Sequence, residues 1–424
     1  MTLLASRPET AASVIPVSSI GAPRLLRGLD RFESISLADH AALHGPLPML
    51  DRIQLVSACR QVNLTGRGGA GFPFADKVNS LRTGAAAVVV VNGSESEPAS
   101  WKDRALMRRT PHLVLDGAVV TAHAIGAREI IVACHDALAA QRLNAAIAER
   151  RAMTGRHGRA ASIRVQTTRS GFVGGEAGAL MQTLNAAPGI PTGRRVLPTM
   201  AGVAGAPTLA SNVETFAQIA ILARMGSHHF GETGAQSEPG TMLLTVGGSV
   251  AHSGVLEVPT GTPLSIVLAA SGASQHLQGV ILGGYHGSWH QPIGSIRLSR
   301  AGVHAAGGSL GAGVVLAVDD TTCALGELQR VTNWLAEQSA RQCGPCRFGL
   351  PALAADVAAI AHGDQRGAEA ALRHARGVTG RGACAHPDGT ARFVVSALHA
   401  LHDESDAHLR NGGCGRPVTG VLPL

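Results

Sequence analysis

Continuous apolar segments that end in polar or glycine-rich stretches recur through the first half of the chain. Residues 85–91 (AAAVVVV), 129–133 (EIIVA) and 163–167 have the composition of strands, and helical periodicity fills the intervals between them. Strands that alternate with helices predict an α/β domain with a parallel sheet, which we expect to extend to about residue 235. Residues 1–30 are rich in Ser, Pro and Ala and lack periodicity, which predicts a loose tail or one that leads into a docking strand.

The pattern changes beyond about residue 240. Residues 241–246 and 254–258 predict strands on either side of a turn-rich segment, and a short helix is predicted to follow. Beyond residue 321 the pattern predicts helices only. The chain is too long for a single core. We expect a tail over residues 1–30, an α/β domain over 31–238, a small β-rich module over 239–318 and a helical domain over 319–424.

Charge and composition exclude several classes of protein. The net charge of +7 is spread over the chain without a long basic run, so it suits an anionic cofactor or an acidic partner but does not predict nucleic-acid binding. No apolar segment reaches the roughly 18–20 residues of a membrane span. Arg7, Pro8 and Glu9 interrupt the region where a signal peptide is apolar. We therefore expect a cytoplasmic protein, in which seven cysteines form no disulfide scaffold.

The most distinctive stretch is the glycine-rich segment GRGGAGFPFADK at residues 66–77. Its four glycines allow the backbone to turn and approach a ligand, so that several N–H groups can converge on one anion. Arg67 and Lys77 add positive charge, and Phe72 adds a flat apolar surface. The segment is interpreted as a phosphate-binding loop, with a structural turn as the alternative.

The glycines match the dinucleotide pattern G-x-G-x-x-G only in their spacing. That fingerprint requires a strand before the glycines and a helix after them. Here residues 49–62 predict a helix before the glycines, and the strong strand follows them at residues 85–91. A Rossmann turn is therefore not predicted.

Polar side chains follow the predicted strands. Residues 92–98 (NGSESEP) come directly after the first strand, and residues 170–180 and 208–215 again lead from a strand into a helix. Because the carboxyl ends of parallel strands share one edge of a sheet, these segments can face a common ligand. Amides and carboxylates there can bind hydroxyl groups, although an ordinary solvated loop is the alternative. The candidate side chains are those of Asn92, Glu95, Glu97 and Asn212.

A cysteine group in the helical region forms a second candidate site. Cys343 and Cys346 form a C-x-x-C pair, and Cys384 and Cys414 follow farther along the chain. Four thiolates suit zinc or an iron–sulfur cluster, and surrounding helices favour the cluster. A redox dithiol would need a βαβ context that the local sequence lacks; it and an incidental grouping are the alternatives. The other cysteines occupy apolar segments and are expected in the core: Cys59, Cys134 and Cys323.

Taken together, these residues make the chain resemble the flavin-carrying, NADH-oxidising subunit of respiratory complex I. Relatives of that subunit occur in NAD-linked hydrogenases and formate dehydrogenases. The resemblance covers about residues 45–400 and rests on motifs in the family's order. These are the glycine-rich loop at 66–77, the polar loop at 92–99, K-D-R at 102–104 with P-H at 111–112, the glycine turn at 172–180 and P-T-L-A-S-N-V-E-T at 207–215.

The resemblance implies an FMN-binding domain, a β-grasp-like module of the soluble-ligand-binding (SLBB) type and a helical domain with a [4Fe–4S] cluster. The family transfers a hydride from NADH to FMN and then passes single electrons into iron–sulfur centres. The implied partner is a ferredoxin-like iron–sulfur protein or a thioredoxin-like [2Fe–2S] subunit. Association with a membrane complex and the binding of NAD(H) itself stay open.

The resemblance also assigns roles by position. Glu97, as the catalytic candidate, and Phe72 occupy positions that line the nicotinamide side. Cys343, Cys346 and Cys384 occupy three of the four cluster positions. The implied FMN contacts are Gly66, Arg67, Gly68, Lys77, Asn92, Glu95, Gly175, Glu176, Ser211 and Asn212.

Several family residues are replaced in this chain. Ser94 replaces an aspartate of the family, Ala177 replaces a glutamate and Leu197 replaces an aromatic residue. Another aromatic residue of the family is replaced near Ser80. Each lost stacking or carboxylate contact weakens binding by roughly 1–3 kcal/mol. We therefore expect FMN binding to survive better than NADH binding.

The cluster motif departs as well, because Ala340 replaces its first cysteine. Cys414, or less favourably His386, is expected to supply the missing ligand; without one, the cluster would be labile or contain three irons. Two other functions stay open at this point: a non-redox scaffold that has kept the fold, and a zinc-stabilised flavin protein.

Overall fold

A computed structural model describes residues 14–84, 86–154, 161–193, 196–291 and 294–424. Residues 1–13 of the predicted tail and residue 85 of the predicted first strand lie outside the described residues. Among the described residues, every helix is too short or too polar to cross a lipid bilayer.

Strands and helices alternate from the N-terminal segment to about residue 231, as predicted. They are β1 (Val17–Ser19), α1 (Leu37–His44), α2 (Arg52–Gln61), α3 (Phe74–Asn79), β2 (Val88–Gly93), α4 (Lys102–Arg109), α5 (Pro111–Ile125), β3 (Glu129–Cys134), α6 (Ala137–Thr154), β4 (Ser162–Thr167), α7 (Ala177–Leu184), β5 (Thr208–Asn212) and α8 (Val213–Gly231).

Four of these strands form a parallel sheet in the order β4-β3-β2-β5. Helices cover both of its faces, which explains why β2 is a continuous run of valines. Val89 and Val91 pack in the same core as α5 and α8, whereas Val88 and Val90 pack against α7. The α/β class predicted from the sequence is therefore confirmed.

Short strands dominate the next part of the chain, and helices follow. They are β6 (Gly234–Ala235), β7 (Glu238–Pro239), β8 (Thr241–Gly248), β9 (Gly254–Pro259), β10 (Thr262–Pro263), α9 (Leu264–Ala270), β11 (Leu277–Leu282), β12 (Ser288–His290), β13 (Arg297–Leu298), α10 (Arg300–Ala305), β14 (Val314–Asp319), α11 (Ala324–Glu337), α12 (Leu350–Ala361), α13 (Gly367–Val378), α14 (His386–Ala400) and α15 (His402–Asn411).

A second, mixed sheet has the order β1-β9-β8-β14-β11-β12. Side chains alternate between its two faces. Leu244 and Val315 pack with α9, whereas Ile281 and Leu316 pack with the C-terminal helices. The sheet is therefore a layer between α9 and the helical region. The sequence predicted β8, β9, α9, β11 and β14 but missed β12, β13 and the short helix α10. The β-grasp-like classification of this module stays a prediction.

From residue 14 onward, the N-terminal segment corrects the expectation of a loose tail. β1 pairs in parallel with β9, and Leu25 and Leu26 are buried. The carboxylate of Glu257 accepts hydrogen bonds from the backbone N–H groups of Arg24 (2.9 Å), Leu25 (3.1 Å) and Leu26 (2.9 Å). The docking strand that the sequence left as the alternative is therefore present, because a buried acid on the second sheet binds this segment.

We predict that Glu257→Ala releases the N-terminal segment. Buried N–H groups would lose their acceptor, so the free energy of unfolding should fall by on the order of 2–4 kcal/mol. Trypsin should then cleave after Arg24 or Arg27 before the rest of the chain is digested. Ser18→Ala, which changes an exposed side chain on β1, is the control. Unchanged protection in the Glu257 variant would contradict the prediction.

Candidate functional site

Two asparagines end neighbouring strands at the point where the strand order of the parallel sheet reverses. Asn92 in β2 and Asn212 in β5 are register partners. The chain continues from β2 to β3 on one side, while β5 lies on the other. In open parallel sheets, ligands bind in the crevice at this reversal. The carboxyl edge between β2 and β5 is therefore the candidate site, and we call it the flavin edge.

The glycine-rich loop lies against this edge. A Cβ atom at Gly68 would lie 3.1 Å from that of Asn212, which is a tight contact, so glycine favours this close approach of the loop. Gly71 has a φ of 63°, and the Arg300 guanidinium occupies the space of a side chain there. The Gly66 N–H donates to the Phe72 carbonyl at 2.9 Å and closes the loop.

The amides of the loop remain available to a ligand. Within the part of the chain that the structure describes, the N–H groups of residues 68–72 donate to no protein acceptor. Successive unpaired amides in a glycine-rich turn form a concave site for an anion. The residues present therefore fit a phosphate group.

Lys77 supplies the charge that such a loop needs. Its Nζ donates to the Ala210 carbonyl in β5 at 2.9 Å, and burial lowers its pKa. Among the described ion pairs, none joins Lys77 to a carboxylate. Because an ammonium that is half withdrawn from water and has no acidic partner is unfavourable, a bound phosphate would stabilise it.

Arg67 differs from the expectation that its charge faces the ligand. Its Nη1 lies 2.5 Å from Oε1 of Glu238 in β7, and both side chains are buried. Arg300 joins this pair from α10 and donates to the Gly66 carbonyl at 2.5 Å. Arg67 therefore anchors the loop to the β-rich module. Sequence reasoning missed Glu238 and Arg300 because nothing local marks either as a partner of a loop more than 160 residues away.

A buried ion network lies beside the flavin edge. Nζ of Lys102 in α4 lies 2.7 Å from Oε2 of Glu214 and 3.1 Å from Oδ1 of Asp103. The side-chain amide of Asn212 donates to Asp103. Burial raises the pKa of Asp103 to about 7 against the opposing attraction of Lys102. The network holds the start of α8 and the end of β5 in place.

The Glu95 carboxylate is also buried and belongs to this network. Its carboxylate accepts the N–H groups of Asp103 (3.0 Å) and Arg104 (2.9 Å) at the start of α4. Ser100 donates to it as well, at 2.5 Å. Its carboxylate is therefore engaged in capping a helix, whereas the sequence placed it among the cofactor contacts.

The glycine turn after β4 closes another side of the edge. A Cβ atom at Gly175 would lie 2.7 Å from the Ser94 carbonyl oxygen, so glycine permits contact between the two loops. The Asn92 amide donates to the Gly175 carbonyl at 2.9 Å. Glu176 caps α7 by accepting the Ala179 N–H at 2.9 Å. Ser211, at the end of β5, is buried.

Glu97 lies between the flavin edge and the second sheet. Its Oε2 accepts the Tyr285 N–H at 2.8 Å, and Gly284 leaves the space that the carboxylate fills. Burial raises the pKa of Glu97 to about 7, and the charge of Glu95 adds to the effect. Phe72, the other residue assigned to the nicotinamide side, is half exposed.

An aromatic cluster connects the glycine turn to the helical region. The Phe172 ring lies 4.6 Å from that of His286, 5.2 Å from Trp334 and 5.5 Å from His386, measured between centroids. Gln338, just after α11, accepts the Phe172 N–H at 3.3 Å. Sequence reasoning assigned no role to Phe172 or Trp334.

Three of the predicted cluster cysteines lie together; we call Cys343, Cys346 and Cys384 the three-thiol site. Burial opposes ionisation of Cys343, but hydrogen bonds from the N–H groups of Ala383 and Cys346 lower its pKa overall. Burial raises the pKa of the Cys346 thiol to about 12. Cys384 interacts electrostatically with both. The C-x-x-C loop and the loop before α14 thus form one sulfur-rich site.

Both residues proposed as the fourth ligand contact other groups, so the fourth ligand of this site stays a prediction. Cys414 instead lies with Cys323, Glu404 and His408, their ligand atoms all within 4.8 Å of one another. His386 contacts His286 through Nδ1 at 2.9 Å and the Leu335 carbonyl through Nε2 at 2.9 Å. Cys323 is buried in the hydrophobic core of the helical region, as expected, and its thiol also lies near the polar groups of Glu404 and His408.

Comparison with known proteins agrees with this geometry. The family model described as the Nuo51 FMN-binding domain matches residues 59–221, and the one described as the NADH-ubiquinone oxidoreductase-F iron-sulfur binding region matches residues 326–408. The first contains the glycine-rich loop and the flavin edge. The second contains the three-thiol site.

Whole chains are similar as well. The F-subunit of NADH-quinone oxidoreductase from Mycobacterium tuberculosis (strain ATCC 25618 / H37Rv) is 31% identical over 387 residues, with 85% of each chain covered. The Streptomyces coelicolor protein of the same name is 29% identical and covers 85% of this chain and 84% of its own. A crystal structure of NAD+-reducing [NiFe]-hydrogenase in the air-oxidized state superposes with a TM-score of 0.81 at 26% identity, over 94% of this chain and 68% of that one.

We predict that Glu97 makes stability depend on pH. A carboxyl whose pKa is raised in the folded state favours folding below its unfolded pKa, and this contribution is lost as the pH rises through about 7. The free energy of unfolding of Glu97→Gln, minus that of the natural chain, should therefore rise by on the order of 1–3 kcal/mol as the pH increases from about 4.5 to 7. Denaturant unfolding across this range measures the difference.

Asp103 remains in both proteins and cancels in this comparison. Glu337→Gln, on an exposed site of α11, is the control and should show no such trend. A pH-independent difference for the Glu97 variant would contradict the prediction.

Proposed function

Because the chain belongs to the family of NADH-quinone oxidoreductase F-subunits, it is a flavin- and iron–sulfur-dependent electron-transfer oxidoreductase, and we propose that the FMN phosphate binds the free amides of residues 68–72 beside Lys77. One observation carries this assignment: a half-buried ammonium without an acidic partner among the described ion pairs lies in the helix that follows unpaired loop amides. FMN, when bound, supplies the conversion between two-electron and one-electron transfer.

Other residues of the flavin edge orient and enclose this group. Gly66, Gly68 and Gly175 permit close approach of the backbone, and Asn92 holds the glycine turn by its hydrogen bond to Gly175. Arg67 and Glu95 act indirectly, because their charged groups are engaged by Glu238 and by the start of α4. Ser211, Asn212 and Glu176 remain proposed contacts at the same edge.

The electron donor binds at the open side of this edge, toward Phe72. Its half-exposed ring offers a stacking surface, and Glu97 lies behind the polar loop with a pKa of about 7, where it can hold or release a proton. Ala177 and Leu197 are exposed positions that lack the acidic and aromatic groups of the family. We therefore propose weaker binding of NADH than of FMN, with NAD(P)H or another two-electron donor as the reductant.

Electrons leave toward the helical region. The aromatic cluster around Phe172 packs the glycine turn against residues that flank the three-thiol site. The relatives are named as subunits. We propose a ferredoxin-like iron–sulfur protein or a thioredoxin-like [2Fe–2S] subunit as the acceptor.

Lys77→Met tests the phosphate assignment. Loss of a charge-assisted contact should weaken FMN binding by about 10–100-fold while leaving riboflavin, which lacks the phosphate, almost unaffected. Quenching of flavin fluorescence on titration of apoprotein measures both affinities. Arg82→Met removes an exposed charge from the same domain and should change neither. An unchanged ratio of FMN to riboflavin affinity in Lys77→Met would refute the assignment.

Ala340→Cys tests the three-thiol site. A thiolate restored at the family position should raise iron toward about four per chain and slow the loss of the cluster in air. Iron analysis and the decay of visible absorbance measure the two effects. Ala355→Cys adds an exposed thiol on α12 and should leave both unchanged. Equal iron content and equal decay in Ala340→Cys and the natural chain would show that another group already completes the cluster.

A further inference from the structure

We propose a second metal site, for one Zn²⁺ ion, formed by Cys323, Glu404, His408 and Cys414. We call these residues the C-terminal tetrad. It is separate from the three-thiol site, and neither family model spans all four of its residues. The inference stands on the geometry of the tetrad and does not depend on the flavin assignment.

The distances suit a single ion. The four ligand atoms all lie within 4.8 Å of one another. Cys323 Sγ lies 3.4 Å from His408 Nε2, and that nitrogen lies 3.8 Å from Glu404 Oε1. In a tetrahedral zinc site with Zn–S of about 2.3 Å and Zn–N of about 2.0 Å, neighbouring ligand atoms are roughly 3.3–3.8 Å apart. Only a small inward movement is needed.

Three parts of the fold bring the ligands together. Cys323 is the N-cap of α11, and its Sγ accepts the Gly326 N–H at 3.2 Å. Glu404 and His408 lie one turn apart on α15, so their side chains share a face. Cys414 follows the left-handed Gly412, which ends that helix and turns the chain back toward α11.

Neighbouring groups hold the ligands in binding orientations. His408 Nδ1 lies 2.7 Å from the Ala361 carbonyl oxygen, which can only accept a hydrogen bond. Nδ1 therefore carries the hydrogen, and the lone pair of Nε2 points toward Cys323. Arg416 Nη2 lies 2.9 Å from Oε2 of Glu404, while Oε1 accepts the Leu325 N–H at 3.1 Å and is the oxygen nearest His408.

The charges balance when the ion is Zn²⁺. Two thiolates and one carboxylate carry three negative charges, which the ion and the Arg416 guanidinium neutralise together. Cys323, Glu404 and His408 are buried and Cys414 is half-buried, so a neutral site avoids the cost of isolated buried charge. Thiolate and imidazole ligands favour zinc over Mg²⁺ or Ca²⁺.

Four protein ligands leave no position for a substrate, which is typical of a structural zinc site. The ion would join α11, α15 and the C-terminal segment. That segment already contacts α11, because the Cys323 N–H donates to the Pro417 carbonyl at 2.8 Å. Metal binding would therefore stabilise the fold of the helical region rather than take part in electron transfer.

The test is elemental analysis of the full-length protein purified without chelators. We expect about one zinc per chain. Cys414→Ser and His408→Ala should each reduce zinc by about tenfold or more while leaving iron unchanged. Cys343→Ser, at the three-thiol site, is the matched control: it should reduce iron and leave zinc unchanged. Loss of iron in Cys414→Ser, or zinc that persists in both tetrad variants, would overturn the proposal.

Because these variants could misfold, the natural chain provides an independent readout. Cys323 and Cys414 should resist alkylation until a zinc chelator is added, as shown by peptide mass spectrometry. Replacement of zinc by Co²⁺ should produce thiolate-to-cobalt charge-transfer absorption. A Cys323–Cys414 disulfide peptide, together with an intact mass that lacks the hydrogens of both thiols, would overturn the proposal. Alkylation that does not depend on the chelator would also overturn it.

Discussion

The arrangement of the flavin edge depends on the ion pairs that the buried Lys102 ammonium makes. This ammonium pairs with both Asp103 and Glu214, whose own hydrogen bonds reach the end of β5 and the second sheet. Glu214 accepts the Leu243 N–H of β8 at 3.0 Å. One cation therefore ties together α4, α8 and two sheets. Separating a buried ion pair leaves each charge buried without a partner, which is strongly unfavourable. These elements are therefore constrained to keep their relative positions.

Charged residues near the glycine-rich loop likewise hold the fold together by pairing with other protein groups. Arg67 is paired with Glu238, and Glu95 caps α4. The loop amides and Lys77 are left for the ligand. A site built in this way holds its backbone donors rigidly before the phosphate arrives, which reduces the ordering cost of binding.

The helical region separates two kinds of sulfur chemistry. The three-thiol site lies beside the aromatic cluster that leads from the flavin edge, where an electron carrier is useful. The C-terminal tetrad mixes two thiols with an imidazole and a carboxylate, and their ligand atoms all lie within 4.8 Å of one another. The difference in donor type favours iron–sulfur chemistry at the first site and a single ion at the second.

The sequence by itself determined the α/β class, the family and the local segments of the flavin edge. Glycine spacing, valine runs and polar strand ends are local patterns, and they have local structural consequences. Lys77 and the glycine loop could be named for that reason. The cysteines could be counted from the sequence, and the resemblance to the family marked Ala340 as a missing ligand.

Only the tertiary structure decided which distant groups meet. Arg67 pairs with Glu238 across 171 positions of sequence, and Cys414 meets Cys323 instead of Cys343. Glu257 similarly holds a segment that composition alone marked as loose. The physical reason is the same each time: a buried charge or ligand atom must find a partner, and the packing of sheets and helices determines which partner lies within reach.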